Sequence, residues 1–315
     1  MGKQADIGLI GLAVMGQNLV LNMNDHGYTV AVYNRTVSKV DEFLNDAAKG
    51  RDTIIGTRSI EELVASLAKP RKVMLMVKAG EVVDSFIDLL VPHLETGDVI
   101  IDGGNSHFPD TNRRTAQLRE KGLLYIGTGV SGGEEGARRG PSIMPGGNKE
   151  AWPLVKNILQ DISAKVDDGS PCCDWVGEDG AGHYVKMVHN GIEYGMMQSL
   201  AEGFTVLRKS PLGLDLTRIA DLYNHRSVIE SRLTGWLKEA YEQYGPDLNQ
   251  VSGSAAQSGE GKWTVDAARE LGVAVPVIEE ALAFRLRSLQ HPSYTGRVIS
   301  ALRHAFGGHD VKEEK

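Results

Sequence analysis

The sequence predicts an α/β fold in which a Rossmann-type parallel sheet domain is followed by an all-α domain. Up to about residue 176, short apolar runs alternate with amphipathic stretches, which is typical of parallel strands joined by helical crossovers. A glycine-rich turn directly follows the first apolar run, and beyond Gly180 only helical periodicity remains. These patterns predict a sheet domain at residues 1–178, a helical domain at 179–300 and a C-terminal tail at 301–315.

The individual elements follow from the same periodicities. Strands are predicted at residues 6–10, 29–33, 72–77 and 98–101, which are short apolar runs. Helices are predicted at residues 182–209, 216–228, 232–244, 264–271, 277–289 and 296–306, where apolar residues recur every three or four positions. Residues 245–261 are rich in Gly, Ser and Gln and predict a loop, and residues 309–315 form a charged tail.

Composition and charge exclude several classes of protein. The formal net charge of −7 argues against a nucleic acid partner, which requires clustered positive charge. No apolar run of about 18 residues occurs, and no apolar segment follows a basic start, so we expect neither membrane insertion nor export. The cysteines, Cys172 and Cys173, are neighbours, and adjacent residues rarely meet disulfide geometry. We therefore expect a reducing, cytoplasmic location.

The turn after the first strand predicts a dinucleotide site. It stands between a strand and a helix, where backbone amides can bind a pyrophosphate. A lone glycine pattern is usually only a turn, but this context favours nucleotide binding. The predicted cofactor contacts of the turn are Gly11, Leu12, Ala13, Val14, Met15 and Gly16.

The end of the second strand favours NADP over NAD. An NAD site usually carries an acidic residue there for the ribose hydroxyls, and this chain has none. Arg35 can pair with a 2′-phosphate, while Asn34 and Thr36 offer neutral hydrogen-bonding groups. The ordinary alternative is an exposed arginine in a turn. The remaining predicted cofactor contacts are Val77, Lys78, Ala79 and Asn105.

A polar stripe on the helix at residues 182–209 is the candidate catalytic feature. Its members share one helical face and are Lys186, His189, Asn190, Glu193 and Tyr194, whereas Val185, Val188 and Ile192 are expected to pack inward. Such stripes often only solvate a surface helix. The preceding Gly-Ala-Gly indicates close approach to a ligand instead. Glycine-rich loops at 101–106 and 127–136, each an ordinary turn if taken singly, are expected to join this stripe.

Four motifs resemble the 6-phosphogluconate dehydrogenases, within the broader β-hydroxyacid dehydrogenases. The motifs are Ile-Asp-Gly-Gly-Asn at 101–105, Gly-Thr-Gly-Val-Ser-Gly-Gly-Glu-Glu-Gly at 127–136, Gly-Pro-Ser-Ile-Met-Pro-Gly-Gly at 140–147 and Gly-His-Tyr-Val-Lys-Met-Val-His-Asn-Gly-Ile-Glu-Tyr at 182–194. The resemblance covers nearly the whole chain. It implies oxidative decarboxylation of 6-phosphogluconate to ribulose 5-phosphate and carbon dioxide with reduction of NADP, without a metal.

The resemblance also implies roles for individual residues. Lys186 is the general base for the C3 hydroxyl and later the acid for the ketone oxygen, and Glu193 protonates C1 after carbon dioxide leaves. A partly desolvated lysine releases its proton more easily, so the residue type suits the task. The implied substrate contacts are Asn105, Ser131, Gly132, Gly133, His189, Asn190, Tyr194, Arg285, Arg303 and His309.

The chain departs from the long form of the family at the phosphate end. A second helical repeat is missing, and Ser258 stands where the long form carries a substrate-binding lysine, so that Ser258 itself or Lys262 would have to compensate. Residues 303–309 nevertheless resemble the tail that reaches a neighbouring subunit and binds the substrate phosphate. The ordinary explanation of the glycines in this tail is a helix C-cap. The resemblance implies a homo-oligomer, either dimer or tetramer.

Two other functions fit parts of the sequence. A dehydrogenase of another β-hydroxyacid would keep Lys186, but it would not need Glu193, Arg303 and His309 together. A non-catalytic NADP-binding sensor would usually lack an acid–base pair on one helical face. Both functions are therefore less favoured than the dehydrogenase that decarboxylates its substrate.

Overall fold

The computed structural model describes residues 4–256 and 259–307 of the 315-residue chain. The chain divides into two compact units, Met1–Lys186 and Met187–Lys315. Among the described residues, no helix has the length and apolar character needed to cross a membrane.

Unit 1 is built around one sheet of eight strands. The strands are β1 (Ile7–Ile10), β2 (Val30–Tyr33), β3 (Ile54–Gly56), β4 (Lys72–Leu75), β5 (Val99–Asp102), β6 (Leu124–Ser131), β7 (Ser142–Gly147) and β8 (Gly177–Glu178). Their order in the sheet is β3-β2-β1-β4-β5-β6-β7-β8. Strands β6 and β7 pair antiparallel, and the other neighbours pair parallel.

Helices cover both faces of this sheet. They are α1 (Val14–Asp25), α2 (Ser38–Asn45), α3 (Ile60–Ala65), α4 (Glu81–Leu90), α5 (Phe108–Arg119), α6 (Gly133–Arg139) and α7 (Trp152–Ile162), followed by α8 (Ala181–Lys209), which begins in unit 1 and continues into unit 2. Alternate strand residues enter different cores: Leu9 packs with residues of α1 and α7, and Ile10 packs with residues of α3 and α4. Burial on both faces explains why these strands are continuous apolar runs.

Unit 2 is helical throughout its described part. Its helices after α8 are α9 (Leu216–Tyr223), α10 (Arg232–Tyr244), α11 (Glu260–Glu270), α12 (Pro276–Ser288) and α13 (Tyr294–Gly307). Side chains fix two of the starting points, because Asp215 accepts a hydrogen bond from the Arg218 amide at 3.0 Å and Ser231 accepts one from the Thr234 amide at 3.1 Å. The apolar faces of these helices form one core.

The predicted fold class is confirmed, with differences in the sheet. The four predicted strands are present as β1, β2, β4 and β5, although β4 ends at Leu75. The sequence did not predict β3, β6, β7 or β8, and the predicted parallel sheet contains one antiparallel pair, β6–β7. Strand β6 was missed because it contains glycines, which have low strand propensity. Its strand conformation depends instead on the packing of α8 against these glycines.

The predicted helices are present, with some changed ends. Helix α10 has both predicted ends, whereas α9 stops at Tyr223 instead of residue 228. The chain leaves the helical conformation there, and Arg226 adopts a φ of +62°. The predicted loop at 245–261 is wrong at its end, because α11 begins at Glu260 after Gly259, whose φ is +107°.

Candidate active site

The glycine turn after β1 requires both of its glycines. A Cβ atom at Gly11 would lie 2.3 Å from the Met76 carbonyl oxygen, and one at Gly16 would lie 1.9 Å from the Gly11 carbonyl oxygen. Helix α1 begins directly after this turn, with Ala13 as its N-cap and no acidic residue in its first turn. Its amides and the positive end of its dipole therefore suit an anion such as a pyrophosphate.

Asn34 braces the turn from the end of β2. Its Oδ1 accepts a hydrogen bond from the Leu12 amide at 3.0 Å, and its Nδ2 donates one to the Thr36 carbonyl, also at 3.0 Å. The side chains of Arg35 and Thr36 are exposed. Asn34, predicted to contact the cofactor, thus also links the glycine turn at Leu12 to the backbone at Thr36. Beyond β4, Lys78 is exposed, and Val77 and Ala79 are half-buried.

The first turn of α8 lies against a surface of glycines on β6 and β7. A Cβ atom at Gly182 would lie 2.0 Å from the Gly127 carbonyl oxygen and 2.5 Å from that of Met144. A Cβ atom at Gly129 would lie 2.3 Å from the Cβ of Lys186. These glycines allow the helix to approach the sheet closely, and Lys186 is only 8% exposed as a result.

The loop that carries Asn105 is held by the buried carboxylate of Asp102. This carboxylate accepts hydrogen bonds from the Ser106 hydroxyl at 2.6 Å, the Tyr125 hydroxyl at 2.9 Å and the Gly104 amide at 3.1 Å. Burial is the main cause that raises the pKa of Tyr125, so its hydroxyl keeps its proton and donates. Asn105 itself is exposed between buried neighbours. The network fixes the backbone on both sides of this predicted contact.

His183 lies beside this network and was not predicted. It is 2% exposed, and its Nδ1 lies 2.7 Å from the Thr111 Oγ1. Its Nε2 has no hydrogen-bond partner among the described residues. Burial lowers the pKa of His183 and outweighs the opposing charge of Asp102, while Arg114 lowers it further. The imidazole is therefore neutral at pH 7.

The predicted loop at 127–136 is wrong as a loop. Residues 127–131 belong to β6, and α6 begins at Gly133. Ser131 is the last residue of the strand, and Gly132 and Gly133 follow it with φ values of +136° and +63°. The two glycines make the sharp turn from strand to helix, which other residues would make only with strain. Ser131, Gly132 and Gly133 are thus neighbours at one strand end.

The inward face predicted for α8 is wrong at two of its three residues. Val185 is 38% exposed and Ile192 is 53% exposed, whereas Val188 is half-buried and Lys186 is buried. The glycines on β6 and β7 explain why the polar face is buried, because their lack of side chains lets the first turn of α8 pack directly on the sheet. Hydrophobic periodicity alone could not show this, since it assumes that the buried face is apolar.

The polar stripe continues along α8 in unit 2. The His189 Nδ1 lies 3.2 Å from the Asn190 Oδ1 and 3.7 Å from a carboxylate oxygen of Glu193. Glu193 is two helical turns beyond Lys186, as the predicted spacing requires. An imidazole, an amide and a carboxylate therefore lie together on this part of the helix.

Two arginines in unit 2, Arg285 and Arg303, have no carboxylate within ion-pair distance among the described residues. Arg285 is 2% exposed, its Cζ lies 3.4 Å from the centre of the Tyr194 ring, and its Nη2 lies 3.9 Å from the Met197 sulfur. Burial lowers its pKa to about 10, and the charge of Arg303 adds to this. Burial also lowers the pKa of Arg303. No carboxylate of the described residues forms an ion pair with either guanidinium, so the pair suits an anion.

A glycine of α11 makes room for the Tyr194 ring, as Gly129 does for the Lys186 side chain. A Cβ atom at Gly261 would lie 2.5 Å from the Tyr194 ring. Thr264, one turn further on, donates a hydrogen bond to the Met187 carbonyl at 2.7 Å, which fixes α11 against α8. The aromatic ring is thereby held flat against the Arg285 guanidinium.

Some predicted residues cannot be placed. His309 and Ser258 lie outside the described residues. The described part of the tail belongs to α13, and its residues Ala301 and Leu302 are buried in the core of unit 2. Within residues 4–256 and 259–307, no group of three His, Cys, Asp or Glu side chains is arranged to hold a metal ion.

The sheet order of unit 1, with the glycine turn between β1 and α1, defines a Rossmann-type nucleotide-binding fold. Comparison with known families agrees with this class. Residues 6–177 match the NAD binding domain of 6-phosphogluconate dehydrogenase, and residues 182–297 match the C-terminal domain of the same enzyme. The chain therefore belongs to the 6-phosphogluconate dehydrogenase family.

Individual relatives are similar over most of this chain. The decarboxylating 6-phosphogluconate dehydrogenases of Aggregatibacter actinomycetemcomitans and Homo sapiens are 58% and 54% identical over 291 residues, which is 90% of this chain and 60% of each relative. The chain thus spans about three fifths of the length of these curated relatives.

Solved structures show the same fold. A Plasmodium falciparum 6-phosphogluconate dehydrogenase, described in complex with NADP+ and with 6-phosphogluconate, matches with a TM-score of 0.82 and 41% identity, over 90% of this chain and 62% of that one. A 3-hydroxyisobutyrate dehydrogenase of Mycobacterium tuberculosis matches with a TM-score of 0.71 and 20% identity, over 95% of this chain and 99% of that one. The second likeness extends to the fold alone.

The lowered pKa of His183 predicts a loss of stability in acid. The unfolded chain binds a proton at His183 below about pH 6.5, whereas the folded chain binds it only at lower pH. The free energy of unfolding should therefore fall by up to about 1.4 kcal/mol per pH unit below pH 6.5 because of this group. Urea unfolding of the parent and of His183→Asn at pH 7.5, 6.5 and 5.5 measures the difference, and parallel curves for the two proteins would contradict the prediction.

Proposed function

We propose that this chain oxidises and decarboxylates 6-phosphogluconate with NADP, yielding ribulose 5-phosphate and carbon dioxide. The observation that carries the proposal is the polar row of α8, from the buried Lys186 to Glu193, in a chain that is 58% identical to decarboxylating dehydrogenases over 291 residues. The low exposure of Lys186 supports its use as a base, because a desolvated amine gives up its proton more easily than one in water.

The proposed chemistry uses two residues of α8. Lys186 accepts the proton of the C3 hydroxyl as C3 becomes a ketone. NADP, which the turn of residues 11–16 and Arg35 would hold, would supply the hydride acceptor for this oxidation. The resulting β-keto acid loses carbon dioxide, and Lys186 returns its proton to the ketone oxygen as the enediol forms. Glu193 then protonates the carbon that lost the carboxylate, which is C2 of the substrate and C1 of ribulose 5-phosphate, while Lys186 takes back the proton of the enediol hydroxyl as the ketone forms. His189 and Asn190, next to Glu193 on the helix, would bind the carboxylate and hydroxyl groups of the substrate, together with Asn105, Ser131 and the amides of Gly132 and Gly133.

The substrate phosphate is assigned to Arg285, Arg303 and Tyr194. A dianionic phosphate could pair with the buried guanidinium of Arg285 and the half-buried one of Arg303, neither of which has a carboxylate within ion-pair distance among the described residues. Arginine can bind phosphate through two parallel hydrogen bonds. His309 would join them, from this subunit or from a neighbouring one. We propose a homo-oligomer on this basis, since the tail resembles one that completes a partner's site.

The cofactor is assigned from unit 1. The pyrophosphate would bind at the turn of residues 11–16, and the exposed guanidinium of Arg35 would pair with the 2′-phosphate of NADP. Lys78, also exposed, follows the neighbouring strand β4. Free thiols at Cys172 and Cys173 agree with a reducing, cytosolic location.

The first test is turnover itself. We expect the purified protein to reduce NADP in the presence of 6-phosphogluconate and to release one carbon dioxide per NADPH, followed by absorbance and by trapping of the gas. Lys186→Ala should abolish turnover, because the base is lost, while NADP affinity stays within about threefold. Lys156→Ala, at an exposed lysine of α7, is the control and should behave as the parent. NADPH formation without carbon dioxide would point to oxidation of the hydroxyl alone.

Arg35 should determine the preference for NADP. Arg35→Ala should weaken NADP binding by about 10-fold or more and leave NAD binding nearly unchanged, because only NADP carries the 2′-phosphate. Fluorescence titration with NADPH and NADH measures both affinities. Arg119→Ala, at an exposed arginine of α5, serves as the matched control. An equal loss for the two cofactors would show that Arg35 does not recognise the phosphate.

Arg285 should discriminate phosphorylated from unphosphorylated substrate. Arg285→Met should raise the KM for 6-phosphogluconate by about 10-fold or more. Its free energy of unfolding should stay equal or rise, since an uncompensated buried charge is removed. Arg287→Met, two residues along α12 and exposed, is the matched control and should change neither quantity strongly. Unchanged discrimination against gluconate in Arg285→Met would remove Arg285 from the phosphate site.

A further inference from the structure

His183 occupies a place between the loop of Asn105 and the catalytic helix. Alternate residues of β6, namely Tyr125, Gly127 and Gly129, share one face of the sheet. On this face Tyr125 donates to the Asp102 carboxylate, and Lys186 packs on Gly129. His183 packs on the middle position, where a Cβ atom at Gly127 would lie 2.7 Å from its Nδ1.

The register of the sheet brings His183 next to Asp102. Gly127 is the partner of Asp102 across the β5–β6 pair, so the side chain of Asp102 and the imidazole on Gly127 lie on the same face. Asp102 holds the backbone on both sides of Asn105 through Gly104 and Ser106. A shift of the imidazole would therefore disturb the loop on one side and the first turn of α8 on the other.

The polar contacts of His183 are few and specific. Thr111 of α5 holds Nδ1 at 2.7 Å, which fixes the plane of the ring. The buried Nε2 forms no hydrogen bond of normal geometry among the described residues, although the backbone of Gly104 and Asp102 acts on the ring. A buried polar nitrogen without a full hydrogen bond costs stability that a purely apolar side chain would not. A residue that lowers the stability of the fold at an enclosed position is expected to have a functional role in the site.

We propose that His183 is a positioning residue for the reaction proposed above, which holds Lys186 in register with the Asn105 loop through its contacts with Gly127 and Thr111. The inference rests on the proposed function only where kcat is measured, because the kcat test requires the proposed reaction. His183 and Lys186 are one helical turn apart. They pack on Gly127 and Gly129, which are two residues apart on the same face of β6, so the imidazole sets the position of the amine. The neutral ring does so without adding a charge next to Lys186.

The test separates positioning from stability. In His183→Leu, kcat should fall about 10- to 100-fold, because a displacement near 1 Å is enough for such a loss, while the KM for 6-phosphogluconate and the affinity for NADP stay within about threefold. His183→Asn, whose amide can replace Nδ1 toward Thr111, should recover at least part of kcat. Thr111→Val should lower kcat in the same direction as His183→Leu, and the double variant should not lose more than the stronger single one.

A matched control shows what a structural loss alone does. Asn22 is also buried in unit 1, where it donates to the carbonyls of Ala137 and Ile162 at 3.0 and 2.9 Å. Asn22→Ala should lower the urea midpoint and leave kcat as in the parent. A kcat for His183→Leu that matches Asn22→Ala would overturn the proposal, and so would equal losses of kcat in the Leu and Asn variants of His183.

A second readout does not depend on turnover. The rate of Lys186 acetylation by acetic anhydride, read by peptide mass against exposed Lys156, should change at least about threefold in His183→Leu and not in Asn22→Ala. A parent that does not turn over 6-phosphogluconate would refute the proposed function alone. Unchanged Lys186 labelling in His183→Leu would refute the positioning role, whatever the substrate.

Discussion

Close approach between the start of α8 and the glycines of β6 and β7 is the constraint on which the candidate site depends. A Cβ atom at Gly182 would collide with carbonyl oxygens of two strands, and Gly129 leaves room for the aliphatic chain of Lys186. Any side chain at these positions would push the helix outward. The approach turns a polar helical face toward the sheet, buries an amine and explains why the strands here depart from the apolar pattern of the rest of unit 1.

The two units differ in how far a buried charged side chain is compensated by polar partners. In unit 1 the Asp102 carboxylate is saturated by donors from Gly104, Ser106 and Tyr125. In unit 2 Arg285 is stacked on Tyr194 and lacks a carboxylate partner among the described residues. A saturated group rigidifies its surroundings, whereas an unsaturated cation attracts a ligand. The first arrangement thus suits a fixed frame, and the second suits recognition of an anion.

Sequence periodicity predicted most of the framework. The buried strands around β1 and the helix α10 follow from patterns that burial itself creates, so β1 and α10 appear where they were expected. Strand β6 was not predicted, because its glycines carry no hydrophobic signal and its strand conformation depends on a helix far along the chain. The predicted burial of Val185 and Ile192 was wrong for the same reason.

The candidate site was predicted unevenly. Lys186 was named from a motif and Arg285 from the family resemblance alone. Both are buried, and burial makes an amine a better base and a guanidinium a stronger anion ligand. His183 was missed although it stands in a quoted motif, since a lone histidine next to apolar residues carries no signal of its own. The alternation of Tyr125, Gly127 and Gly129 could have revealed it, because small residues at a period of two indicate that something large packs over a strand.

The amide of Asn34 ties Leu12 to Thr36, so the segment that would receive the pyrophosphate and the segment that would receive the 2′-phosphate move as one body. An engineer who wishes to retune the dinucleotide preference of this chain cannot treat the two segments as separate modules. Exchange of Asn34 for an acidic residue would add the carboxylate that an NAD site uses, but it would also remove the donor to Thr36. Redesign of specificity here therefore requires compensating changes in the turn itself.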